Sequence, residues 1–131
     1  MGMQIFRTPI VTPAPFSDFA GYNRIFTVVE GSGLQLTIDG QSTTAPPLQS
    51  VRFAGEASVA VSLPHGPAQV LNIIYDRHRW REATGLDAPT LTIAHATADV
   101  DELSAGYTVL SPQPLPRRHG LLQFSFLDAT K

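Results

Sequence analysis

The chain has 131 residues, of which 43% are hydrophobic and 15% charged, and its formal net charge is −2. This length suits one domain spanning residues 1–131, and the slight acidic excess gives no basic surface for nucleic acid or an anionic membrane. The absence of cysteine excludes disulfides, thiolate metal sites and a cysteine nucleophile. No targeting signal or long apolar stretch occurs, so we expect a cytoplasmic protein.

Short strands separated by turns dominate the predicted secondary structure. Eleven prolines and ten glycines interrupt the chain too often for long helices. Only residues 99–104 favour a single helical turn. Runs rich in β-branched and aromatic residues, several of them alternating, predict strands. In chain order these are residues 24–30, 34–39, 51–53, 58–63, 69–75, 90–95, 107–110 and 121–127. The prediction is an all-β, jelly-roll barrel or sandwich.

The clearest local signal is a hairpin near the start of the chain. Residues 24–30 and 34–39 are strong strand candidates, and the Gly31-Ser32-Gly33 link between them tolerates positive φ. We therefore predict that these two strands pair. The following Asp39-Gly40 is a favoured turn pair and predicts the next reversal.

Three separated motifs resemble those of the HutD/Ves family of the cupin superfamily. Residues 15–24, PFSDFAGYNR, resemble the family signature PFSxFxGxxR. The later family run GP…DFN…R…W resembles three segments that follow in order, Gly66-Pro67, Leu71-Asn72 and residues 77–81. The glycine-linked segment 28–40 is also similar to a hairpin common in cupin jelly rolls. Together the motifs cover about half of the chain, in the family's order.

This resemblance implies a cupin fold with no established catalytic activity. HutD-type members are linked to the regulation of histidine utilisation and are thought to bind a small acidic metabolite, whereas Ves-type members are described as stress-associated. The chain departs from the family at Val70 and Leu71, which replace Asp and Phe, and at His65, where Asp is common. It also has fewer residues before the first motif. Strands missing there would leave an open sheet edge, which a second copy could cover, so a homodimer is one expectation.

Arg24 and Asn72 are the leading ligand-binding candidates. Arg24 follows a loop rich in glycine and aromatic residues, and a guanidinium offers donors that match a carboxylate. The alternative is a structural ion pair with Asp18 or Glu30. Asn72 lies within an apolar run, where a buried amide must find partners, either a ligand or the backbone at a β-bulge.

Four further residues complete the predicted ligand site. Phe19 and Tyr22, with Phe16, are expected to control access to the barrel. Ser17 could contribute a hydroxyl at the rim, although Ser17-Asp18 is also typical of a turn. Arg77 matches the family arginine and could pair with an acid near the pocket.

No metal or other cofactor is expected. Metal-binding cupins resemble one another in a His-x-His pair with a later Glu and His, whereas the four histidines here are isolated in sequence. Gln69 stands where a second-motif ligand His would belong. The histidines are His65, His78, His95 and His119.

The leading hypothesis is a non-catalytic cupin that binds a small carboxylate and acts as a metabolic sensor or regulator. The alternative is a small-cupin isomerase or lyase acting on a sugar or organic acid, with His65, His95 or Tyr75 as acid or base. A third hypothesis is an interaction module with a filled barrel. The basic cluster at residues 77–81 is more typical of a solvated loop than of a nucleic-acid site.

Overall fold

The computed structural model describes residues 2–130, in which β-strands are joined by turns and loops. The strands are β1 (Met3–Ile10), β2 (Ala14–Pro15), β3 (Tyr22–Glu30), β4 (Leu34–Ile38), β5 (Gln41–Ala45), β6 (Ser50–Ala54), β7 (Val59–Ser62), β8 (Ala68–Asp76), β9 (Trp80–Glu82), β10 (Leu91–Ala96), β11 (Thr108–Ser111) and β12 (Leu121–Asp128). No helix occurs in this described range, which confirms the all-β prediction. Accordingly, it contains no helix that could cross a membrane.

The chain divides into two compact units, one ending at Arg77 and the other beginning at His78. The first unit contains two four-stranded sheets, with the strand orders β1-β8-β3-β6 and β2-β7-β4-β5. The second unit contains one sheet with the order β11-β10-β12-β9. Every strand pair is antiparallel. The assignment of all 131 residues to one domain stays a prediction.

The core of the first unit lies between its two sheets. One sheet contributes Phe26, Val28 and Val70, and the other contributes Leu36 and Val61, all of them buried. This arrangement follows from alternation, because every second side chain of a strand points to the same face of its sheet. Removal of these side chains from water is the main driving force for closing the two sheets on each other.

Strand register places the predicted ligand residues on the core-facing side of the first sheet. Arg24 lies two residues before Phe26 on β3, so the two side chains share a face. Asn72 of β8 pairs with Phe26 on one side and with Phe6 of β1 on the other. Arg24 and Asn72 therefore belong to the same face of adjacent strands.

The predicted hairpin between residues 24–30 and 34–39 is wrong. The two segments are strands, but β3 belongs to the first sheet and β4 to the second. Gly31 and Gly33, at φ 108° and 105°, carry the chain across from one sheet to the other. The next predicted reversal is confirmed, since Asp39 and Gly40 both have positive φ and connect the paired strands β4 and β5.

The other secondary-structure predictions have a mixed outcome. All eight predicted strands occur, but the helical turn at residues 99–104 is wrong, because Val100 and Leu103 form an antiparallel bridge there. The sequence analysis assigned no strand to β1, β2, β5 or β9. The polar β5, with sequence QSTTA, has no hydrophobic alternation, and β9 falls in the segment expected to be a solvated loop.

Leu48 offers a test of backbone strain in the first unit. It has a φ of 66° and is 49% exposed. Burial of its side chain therefore does not offset the full cost of the left-handed backbone conformation. We expect Leu48→Gly to raise the free energy of unfolding by about 0.5–1 kcal/mol in urea titrations. Leu86→Gly is the matched control, because Leu86 is fully exposed without a positive φ. Equal effects of the two substitutions would contradict the prediction.

Candidate functional site

A cavity of about 280 Å³ opens on the core-facing side of the first sheet. Strand β1, the segment before β3, β3 itself and β8 all contribute to its walls. Its lining residues are Phe6, Thr8, Ile10, Pro15, Phe16, Ser17, Phe19, Arg24, Phe26 and Asn72. Six are apolar side chains of Phe, Ile or Pro, and the charged one is Arg24. The cavity thus has mostly apolar walls with a few polar groups, a composition typical of small-molecule sites.

The Arg24 guanidinium is buried among aromatic rings. The residue is only 7% exposed, and its Cζ lies 4.8 Å from the ring centroid of Phe16 and 5.5 Å from those of Phe19 and Phe53. Its Nη1 donates a hydrogen bond to the backbone carbonyl of Ser17, at 3.2 Å. Its Nε is buried without a hydrogen-bond partner among the described residues. Cation–π contacts hold this charge, but its donors are largely unused.

No carboxylate neutralises Arg24 within residues 2–130. The predicted alternative, an ion pair with Asp18 or Glu30, is absent there, and Glu30 instead pairs with Arg7 at 2.8 Å. Burial lowers the pKa of Arg24, because removal from water disfavours the charged form. A guanidinium nevertheless stays protonated at neutral pH. The cavity therefore holds a desolvated positive charge that has no counterion within the described part of the chain.

Asn72 adds an unsatisfied acceptor to the same cavity. The residue is 3% exposed, and its Oδ1 is buried without a hydrogen-bond partner in the described part of the chain. The open alternative of a backbone hydrogen bond to this oxygen is therefore not realised. Buried polar atoms are satisfied in the great majority of cases, so an orphaned one calls for an explanation such as a bound ligand or water.

The structure brings together four of the six predicted site residues. Arg24, Asn72, Ser17 and Phe19 all line the cavity. Tyr22 lies beside this group, with its ring centroid 6.3 Å from that of Phe19. Arg77 lies elsewhere, in a network of backbone and carboxylate contacts. Whether any of the six binds a ligand stays a prediction.

Arg77 and Glu56 clamp the end of the loop that covers Arg24. Arg77 contacts both carboxylate oxygens of Glu56, at 2.6 and 2.9 Å, and donates to the Tyr22 carbonyl at 3.1 Å. Glu56 also accepts a hydrogen bond from the Gly21 backbone N–H, at 3.0 Å. The hydrogen bond from Arg77 is the largest cause, and that from Gly21 the next, of the lowering of the pKa of Glu56 to about 2. No sequence pattern singles out Glu56, which follows a strand as an ordinary exposed acid.

The depressed pKa of Glu56 predicts an acid-sensitive contribution to stability. Because the folded pKa is about 2 and the ordinary value 4.5, the stabilisation is present above pH 4.5 and is lost as pH falls towards 2. Thermal unfolding of the wild type and Glu56→Gln between pH 4.5 and pH 2 would measure this. We expect the gap in melting temperature to shrink as pH falls, and a constant gap would contradict the prediction.

The histidines give no metal site in the described residues. No group of three or more His, Asp or Glu side chains in residues 2–130 is placed to hold a metal ion. His65 is exposed in the turn before β8, whereas His95 is fully buried in β10, with Nδ1 2.8 Å from the Thr108 hydroxyl. That the protein needs no metal stays a prediction.

Comparison with known proteins identifies the family. The sequence model of the HutD family matches residues 8–106, which is most of the chain. The chain belongs to the HutD family. A curated relative from Pseudomonas putida, described as an uncharacterized 21.2 kDa protein in the hutC 3′ region, is 43% identical over 67 residues. That match covers 50% of this chain and 35% of the relative, so the chain spans about a third of the relative's length.

Solved structures confirm the cupin fold of this HutD-family chain. HutD from Pseudomonas fluorescens SBW25 is 27% identical, with a TM-score of 0.75 over 97% of this chain and 74% of that one. A conserved protein of unknown function from Pseudomonas aeruginosa PAO1 is 22% identical, with a TM-score of 0.76, over 97% and 76% of the two chains. The Cupin_2 domain of an XRE-family transcriptional regulator from Enterobacter cloacae is 26% identical, with a TM-score of 0.51, over 56% and 81%.

Proposed function

We propose that this HutD-family chain binds a small carboxylate metabolite in the cavity and does so without catalysing a reaction. The observation that carries the proposal is the buried Arg24 guanidinium, which has no counterion among the described residues and an unpartnered Nε. A buried charge is costly unless it is paired. A bound carboxylate would neutralise Arg24 and accept two of its N–H groups, which is the strongest common form of such pairing.

The remaining cavity groups set further requirements on the ligand. The orphaned Oδ1 of Asn72 is an acceptor, so the ligand would offer an N–H or O–H group to it. The rings of Phe16 and Phe19 cover the guanidinium and would exclude water from the ion pair. A volume of about 280 Å³ lies at the low end for ligand pockets and suits a metabolite of a few carbon atoms.

The family supports a regulatory role for this binding. The chain belongs to the HutD family, and its relative from Pseudomonas putida is named for a position beside hutC. We propose that the chain acts as a sensor or regulator of amino-acid catabolism of the histidine-utilisation kind, and that it uses no metal or other cofactor. Nucleic acid and membranes are not among its proposed partners; a second copy of the chain is.

The alternative enzyme hypothesis has less support from the positions of its candidate acids and bases. None of His65, His95 and Tyr75 lines the cavity that holds Asn72. Tyr75 lines a different cavity, of about 240 Å³, which it shares with Arg24 and Arg52. Turnover separates the hypotheses, because a sensor returns its ligand unchanged whereas an isomerase or lyase converts it.

Calorimetric titration with matched acids and amides tests the proposal. Acetate, succinate and intermediates of histidine degradation would be titrated beside acetamide and succinamide, with and without a chelator. We expect at least one acid to bind, its amide not to bind, and the chelator to have no effect. NMR spectra of the bound acid after prolonged incubation should be unchanged. Binding of the amides as tightly as the acids, or conversion of the acid, would refute the proposal.

A further inference from the structure

The loop that covers Arg24 has its two ends fixed in different ways. We call residues 16–21 the cavity loop. At its start, the Phe16 N–H donates to the Val59 carbonyl of β7, at 2.8 Å. In its middle, the Phe19 N–H donates to the Gly55 carbonyl, at 2.9 Å. At the final residue, the Gly21 N–H donates to the Glu56 carboxylate. The Gly21 carbonyl accepts a hydrogen bond from the backbone N–H of Arg77, at 3.3 Å.

We propose that the Glu56–Arg77 ion pair is a positioning element that holds the cavity loop in its ligand-binding conformation. Glu56 follows β6 and Arg77 follows β8, so the pair joins the ends of two strands to the loop. Its contacts with Gly21 and with the Tyr22 carbonyl fix the point where the chain leaves the loop and enters β3. Neither residue lines the cavity, so the pair acts through the loop and not on the ligand.

The consequence for Arg24 follows from what the cavity loop carries. Three contacts of the guanidinium come from this loop: the Ser17 carbonyl and the rings of Phe16 and Phe19. If the loop shifts, the donors of Arg24 lose their orientation and the site admits water. Because Arg77 forms a two-point contact with Glu56, the pair specifies geometry as well as charge. The role in ligand affinity rests on the proposed function, whereas the role in holding the loop does not.

Amide hydrogen exchange of the ligand-free protein tests the positioning role directly. In Glu56→Gln we expect faster exchange, on the order of tenfold, at Gly21 and Tyr22, with the other amides of β3 and those of β8 unchanged. The Nε–H of Arg24 should also exchange faster. The control is Glu30→Gln, which removes the Arg7–Glu30 ion pair of the same unit without touching the loop. Unchanged exchange at Gly21 in Glu56→Gln, or an equal increase in the control, would overturn the inference.

Ligand binding provides the second readout. With succinate as the probe, we expect Glu56→Gln to bind about three- to tenfold more weakly than the wild type and Glu30→Gln to bind like the wild type. Arg77→Lys should also bind succinate more weakly than the wild type, because an ammonium cannot reproduce the two-point contact with Glu56. Full affinity in Glu56→Gln would overturn the role in binding. If the wild type binds no carboxylate, the proposed function falls, and the exchange experiment still decides whether the pair positions the loop.

Discussion

Replacing Arg24 with methionine should greatly weaken carboxylate binding and yet make the ligand-free protein more stable. Methionine follows the aliphatic part of arginine, and its flexible thioether can pack against the nearby rings of Phe16, Phe19 and Phe53. The substitution removes a buried charge whose Nε has no hydrogen-bond partner among residues 2–130. Exchanging buried charged groups for apolar ones is often neutral or stabilising, and the lost cation–π contacts offset part of the gain. We expect a net gain of about 1 kcal/mol in the free energy of unfolding, measured in urea.

The loss of affinity in Arg24→Met should be much larger than the change in stability. Truncating one partner of a buried charge pair costs about 2–5 kcal/mol, so binding should weaken at least about thirtyfold. Arg52→Met is the control, because Arg52 is an exposed arginine on the neighbouring β6 that does not line the cavity holding Asn72. If Arg24→Met binds succinate as tightly as the wild type, or if it destabilises the protein by several kcal/mol, the guanidinium has a structural role instead.

Gly55→Ala should disrupt the cavity loop and the fold of the first unit together. A Cβ atom at Gly55 would lie 2.2 Å from the Phe19 carbonyl oxygen and 2.8 Å from that of Tyr22. Both obstacles are backbone atoms, and the same glycine donates to Tyr22 at 2.6 Å and accepts from Phe19 at 2.9 Å. Relief of the clash therefore requires the loop to move. We expect a loss of about 2–3 kcal/mol in urea unfolding, together with weaker ligand binding.

Gly66→Ala separates steric crowding from backbone strain. Gly66 has a φ of 92°, but a Cβ there meets nothing within 4 Å, so its substitution tests strain alone. We expect a cost of about 1 kcal/mol and no change in ligand affinity, since the Gly66 turn is not part of the cavity. Equal losses of affinity in Gly55→Ala and Gly66→Ala would show that the cavity loop is not the element that Gly55 supports.

The sequence predicted the strands better than their partners. Strand propensity and alternation are local properties, so the segments that became β3, β4, β7 and β8 could be found. Pairing depends on the path between strands. The link Gly31-Ser32-Gly33 suits a tight hairpin, but its two glycines instead let the chain pass from one sheet to the other, and no local pattern distinguishes these outcomes. The hairpin at Asp39-Gly40 was predictable because that dipeptide specifies its turn.

The candidate site was predictable where a residue type conflicts with its surroundings. An arginine and an asparagine in apolar strands, Arg24 and Asn72, stand out in the sequence because burying them needs a reason. Family motifs added Ser17 and Phe19. Thr8 and Glu56 could not be predicted as site residues. Thr8 becomes a wall residue only because β1 pairs with β8, far along the sequence. Glu56 is an exposed acid whose role depends on where Gly21 and Arg77 lie.

The pairing of β1 with β8 has a consequence for folding. Met3 is paired with Tyr75 and Ile10 with Ala68. Strand β1 can therefore pair only with a strand that lies some sixty residues further along the chain. Contacts of such high contact order form late, because the loop-closure entropy is lost before any contact compensates for it. Strand β1 also provides Phe6, Thr8 and Ile10 of the cavity wall. We therefore expect the cavity to be complete only once folding has finished, so that a ligand of the cavity would bind the folded chain and not a partly folded intermediate.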